Sequence, residues 1–99
     1  MSNTQAQTLL NQLGGNKFIA MTGAKDFGIS KEGLSFKIGK NSKGISHVKI
    51  RLSSLDLYDM KFINIRAGNI KIKAEEKGVY ANQLQTFFTK FTGMDTKLF

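Results

Sequence analysis

Two short runs flanking a polar loop constrain this chain more than any other feature. In LSFKIG (34–39), Leu34, Phe36 and Ile38 alternate with Ser35, Lys37 and Gly39; in VKIRL (48–52), Val48, Ile50 and Leu52 alternate with Lys49 and Arg51. Successive side chains of a strand point to opposite faces, so each run has one apolar face and one polar, mostly basic face. The seven residues between them, KNSKGIS (40–46), are largely turn formers. The pattern predicts an antiparallel hairpin, apolar beneath and cationic above. With level ends, Phe36 faces Ile50 and Lys37 faces Lys49, and two lysines opposed across a ladder repel each other. A chain that keeps such a pair holds positive potential ready for an anionic partner.

The other segments read as layers around that hairpin. Ser2 to Leu13 has a capping residue and apolar positions Ala6, Leu9, Leu10 and Leu13 at helical spacing, with Gly14 and Gly15 to end it. Lys17 to Thr22 (KFIAMT) reads as a first strand, apolar on both faces and therefore covered. A short strand is expected around Phe27 to Ser30. Ser53 to Asp56 reads as a turn or bulge, and Leu57 to Arg66 as a central strand, because Phe62, Ile63 and Ile65 put apolar groups on both faces. Ala67-Gly68-Asn69 marks a tight turn into a strand over 69–75, with Ile70, Ile72 and Ala74 pointing inward and Lys71, Lys73 and Glu75 outward. The last element is a helix from Val79 to Phe91, whose Tyr80, Leu84, Phe87, Phe88 and Phe91 form one stripe. Such a stripe resembles a base-stacking platform, but opposite an apolar sheet face it belongs to a core. The expected fold is α+β: an antiparallel meander of four to five strands with an N-terminal and a C-terminal helix on its apolar face.

Ninety-nine residues, 40% of them apolar, suffice for a single domain (1–99) with one core. The absence of cysteine removes disulfides, thiolate metal sites and thiol catalysis. No run of about 18 apolar residues spans a bilayer, and the N-terminus lacks the basic start and apolar stretch of a secretory signal, so a cytoplasmic protein without a membrane partner is expected. Fifteen Lys and Arg against seven Asp and Glu give a net charge of +8, carried almost wholly by lysine. Lysine is a hydrated point charge, suited to diffuse attraction to a polyanion more than to reading bases one by one. The same charge also serves plain solubility.

Several phrases carry a resemblance. GGNKFIAMTGAKDF (14–27), LSFKIG (34–39), HVKIRLSSLDLYDMKF (47–62) and GVYANQLQTFFTKFTG (78–93) are similar, in the same order, to small proteins encoded by bacteriophages and prophages. The similarity spans residues 9 to 95. It implies a phage or prophage origin and action inside a host bacterial cell. That family has no assigned biochemical function, so it lends no functional residues.

Catalysis finds little support in the residues. His47 is the lone histidine, in phase with Lys49 and Arg51, and no serine has a nucleophile-elbow context. Asp56 and Asp59 are close enough in sequence to suggest a Mg²⁺ site, yet Asp56 reads as a turn residue and the two need not converge. Glu75-Glu76 reads as part of a polar turn. Met21 to Lys25 (MTGAK) sets a glycine and a lysine after a strand, but lacks the second glycine and the Lys-Ser/Thr pair of a P-loop. No enzyme, cofactor or metal site is expected. The remaining candidate is the basic surface of Lys37, Lys49, Arg51, Lys71 and Lys73, extended along the loop by Lys40 and Lys43. Two functions follow. One is a non-enzymatic accessory protein whose basic sheet binds phosphates of nucleic acid or a nucleotide, with few exposed aromatics left to stack on bases. The other is an inhibitor that binds a host defence protein through the same surface or an edge strand. Self-association through edge strands stays open.

Overall fold

The structure is a computed structural model, and it describes residues 1–96. Helix α1 (Asn3–Leu13) starts at Ser2, whose hydroxyl accepts from Gln5 N–H while the Gln5 side chain accepts from Ser2 N–H. This reciprocal cap satisfies two amides that the first turn leaves without partners. Gly14, at φ 128°, ends the helix.

The next segment departs from expectation. Lys17 to Thr22 is not a strand but part of a short helix, α2 (Asn16–Thr22). Six residues are too few to separate the two periods when apolar groups lie on both sides. The burial resolves it: Phe18 and Thr22 are buried and Ile19 and Met21 half-buried, while Lys17 and Ala20 are exposed. That is one face of a helix. Gly15 and Gly23, both with positive φ, bracket α2.

Five strands follow: β1 (Lys25–Ser30), β2 (Gly33–Lys37), β3 (His47–Leu52), β4 (Tyr58–Arg66) and β5 (Asn69–Val79). They form one antiparallel sheet in sequence order, so β3 is central and β1 and β5 are the edges. A 3-10 turn (Ala81–Gln83) leads into α3 (Leu84–Thr92), which therefore begins five residues later than the periodicity suggested. The fold is the expected α+β meander with helices at both ends, plus the extra helix α2.

All three helices lie on one face of the sheet. Their Leu9, Leu13, Phe18, Leu84 and Phe88 join Leu34, Phe36, Val48, Ile50, Met60 and Phe62 in a single buried cluster. Phe18 sits at its centre, with ring centroids 5.7 Å from Phe36 and 5.0 Å from Phe88, both edge to face. In the aromatic stripe Leu84 and Phe88 are buried, Phe87 and Phe91 half-buried, and Tyr80 is outside.

The β2–β3 register is shifted from the level-ended pairing. Phe36 lies opposite Val48 and Lys37 opposite His47, while Lys49 faces Ser35. The loop that sets this register is longer than its turn formers suggested, because Ile38 and Ile45 enter the core and hold residues 38–46 outside both strands.

Candidate functional site

The sheet face opposite the helices is uncovered. Residues paired across an antiparallel ladder share a face. The pairings therefore give rows of side chains across that open face. One row runs Lys25, Lys37, His47, Ile63, Ile72; the next runs Gly28, Ser35, Lys49, Lys61, Glu75; and a third holds Arg51 and Asp59. Two like-charge pairs thus face each other across neighbouring strands: Lys25 with Lys37, and Lys49 with Lys61. The Lys37–Lys49 opposition expected from the sequence does not form, because the β2–β3 register is shifted; each of the two lysines opposes a different one.

Carboxylates moderate this face unevenly. A bulge in β1 gives Asp26 a left-handed φ of 56° and brings its carboxylate 3.6 Å from Lys37 Nζ. Arg51 Nη2 donates to Asp59 Oδ2 at 2.6 Å, and Gly78 N–H donates to Asp59 Oδ1 at 3.1 Å. The Arg51 guanidinium holds the Asp59 carboxyl below the ordinary carboxylate value, with help from Gly78, while burial opposes this. Lys77 pairs with Glu75 at 3.7 Å. Among the described residues Lys25, Lys49 and Lys61 make no ion pair.

A shallow groove of about 400 Å³ crosses the second and third rows. Gly33 and Ser35 line it together with Lys49, Arg51 and Lys61 and the carboxylates of Glu32, Asp59 and Glu75. Gly33 is required there, because a Cβ at its φ of 146° would strike the Ile50 carbonyl.

His47 stands between the lysines and a group of isoleucines. Its Nδ1 lies 2.7 Å from Ser46 Oγ, which also accepts from Ile65 N–H at 2.8 Å. Desolvation lowers the imidazole pKa, Lys37 and Lys49 lower it further, and Asp26 opposes them. These surroundings favour the neutral imidazole.

Of the predicted site residues, the fold brings Lys37, Lys49 and Arg51 together on the open face, and Arg51 is engaged by Asp59. Lys71 and Lys73 do not join them. β5 carries an extra residue between Ala74, opposite Phe62, and Ile72, opposite Ile63. This bulge reverses the alternation, so Lys71 pairs with Asn64, Lys73 is left unpaired in the ladder, and the isoleucines take the open face. Ile70 and Ile72, expected inside, are 71% and 55% exposed. Lys40 and Lys43 are exposed on a loop that bends toward the helices, since a Cβ on Gly93 after α3 would lie 2.8 Å from Ser42 Oγ. They rim the sheet end and do not extend its face. Lys25 and Lys61 join this face without a clear mark in the sequence. Lys61 lies in phase with Asp59 on a strand whose alternation was obscured by Phe62 and Ile63, and Lys25 precedes a bulge.

The other candidates disperse. Asp56 sits in the β3–β4 turn at φ 59°, while Asp59 is on the sheet face bound to Arg51. Glu75 and Glu76 lie within β5, opposite Lys61 and Met60. No group of three or more His, Asp or Glu able to hold a metal ion occurs among the described residues. In MTGAK, Gly23 caps the C-terminus of α2 and its N–H is spent on Ile19 O. A helix C-terminus carries partial negative charge, the wrong sign for a phosphate. No described helix is long and apolar enough to cross a membrane. Comparison with protein families, with curated proteins and with solved structures found no match to the chain.

Proposed function

We propose that this protein is a non-enzymatic binder of phosphate-rich polyanions, nucleic acid foremost, and that the open sheet face is its contact surface. The observation that carries this reading is the juxtaposition of Lys25 with Lys37 and of Lys49 with Lys61 on one uncovered face. Like charges opposed across a ladder destabilise the sheet, and a polyanion laid over them removes the repulsion. The lysine-dominated charge of +8 supports the same reading, since it favours contact with phosphates over selection of bases. Arg51, held by Asp59, is a structural member of this face, and the binding groups are Lys25, Lys37, Lys49 and Lys61. In the phage setting that the sequence phrases suggest, the partner is intracellular nucleic acid of the host or the phage.

The test is a salt titration of binding to single- and double-stranded DNA and RNA. Wild type should bind at low salt, with log affinity falling linearly in log salt by roughly 0.7–0.9 per phosphate contact. Lys49→Glu and Lys61→Glu should each weaken binding and flatten that slope while the protein stays folded. No binding at low salt would sink the reading.

A further inference from the structure

The lysines share the open face with a second feature that phosphate binding leaves unused. On β4 and β5, Ile63 lies opposite Ile72 at the end of the Lys25–Lys37 row, and Ile65 lies opposite Ile70 in the next. Ile63 is only 4% exposed, yet it is not part of the helix-side core. Ile65, Ile70 and Ile72 are 39%, 71% and 55% exposed. Four isoleucines on two strands, flanked by His47 and continuous with the row of Lys25 and Lys37, form an apolar strip beside a cationic one.

A second copy of this chain is a poor occupant, because it would bring its own lysine rows against these and add like charge to like charge. A protein partner needs about 800 Å² from each side for a stable interface, far more than three half-exposed isoleucines supply. The face instead matches a ligand that alternates dense negative charge with flat apolar surface at short intervals. Duplex nucleic acid presents its phosphates but keeps its base faces stacked inside. A single strand presents both, and its bases stack on histidine and other side chains. We infer that the open face selects single-stranded over double-stranded nucleic acid, with the backbone along Lys25, Lys37, Lys49 and Lys61 and unstacked bases against His47 and the Ile65–Ile70–Ile72 strip. This rests on the polyanion reading above. Burial and the neighbouring Lys37 and Lys49 disfavour the charged form of His47, which suits a ring that stacks on bases more than one that pairs with phosphate.

The experiment compares three labelled probes at low salt: a mixed-sequence single-stranded DNA oligonucleotide, the same sequence as a duplex, and inorganic polyphosphate as a polyanion without bases. Wild type should bind the single strand more tightly than the duplex. Ile70→Ser with Ile72→Ser should lower single-strand affinity by about tenfold, from lost apolar contact, and leave polyphosphate affinity unchanged. Ile70→Ser alone, at the most exposed of the four positions, should give a smaller loss of the same kind and guards against misfolding of the double variant. Equal affinity for single strand and duplex, or serine variants that bind the single strand like wild type, would overturn this inference while leaving the polyanion reading intact. Failure to bind any probe would overturn both.

Discussion

Phe87 and Phe88 are neighbours in sequence with different surroundings. Phe88 is fully buried against Phe18 and Phe62, whereas Phe87 stacks on Phe91 near the surface, with Lys90 Nζ 5.8 Å from its ring centre. Phe88→Ala should therefore cost about 3–5 kcal/mol, a large share of the stability of a domain this size, and Phe87→Ala distinctly less. Chemical denaturation of both variants checks this, and equal losses would mean that α3 presents a different face. Asp59 allows a second residue-level expectation. Its folded pKa lies below the ordinary 3.8, so the unfolded chain binds its proton more readily. The stability it supplies is complete above about 3.8 and fades as the pH falls through the lower folded value. Asp59→Asn should then lose less melting temperature than wild type on going from neutral pH to below 3.8. A loss as large as that of wild type would show that the Arg51 contact contributes nothing to folding.

At the scale of elements, cross-strand partners decide what each lysine does. Lys49 faces Lys61, and Lys61 also faces Glu75 on β5. Lys49→Glu turns a repulsive pair into an attractive one and should raise stability by about 0.2–1 kcal/mol while weakening polyanion binding. Thermal melts set beside the binding titration check this opposition. Loss of binding only together with loss of stability would make Lys49 a folding residue. The existence of hairpin β2–β3 is legible because a polar loop separates two clean alternations, but its register is not, because Ile38 and Ile45 leave the strands for the core. The β4–β5 pairing is not legible either, because a single extra residue in β5 moves Ile70 and Ile72 to the opposite face. A bulge leaves no mark in hydrophobicity, and the apolar run at Phe62 and Ile63 looked like a strand covered on both sides. It is an interior strand with core on one face and the isoleucine strip on the other.

Across the molecule, the core lies between the helices and the sheet, and the opposite sheet face displays the lysines beside the isoleucine strip. The edges are guarded. β1 is short and bulged at Asp26, while β5 carries Lys71, Lys73 and Lys77 and two irregularities. Charged, bulged edges discourage strand addition.

Local chemistry alone determined the α+β class, the capped first helix, the Ala67-Gly68-Asn69 turn and the cationic outer face of the central hairpin. Each depends on residues within a few positions of one another, through side-chain periodicity or backbone preference. Only the tertiary structure decided that KFIAMT is a helix, since Phe18 reaches the core between Phe36 and Phe88 as part of a helical face. It alone decided that Lys25 and Lys61 join Lys37 and Lys49, and that Lys71 and Lys73 do not. Those outcomes depend on register, and register depends on bulges and loop packing between segments far apart in sequence.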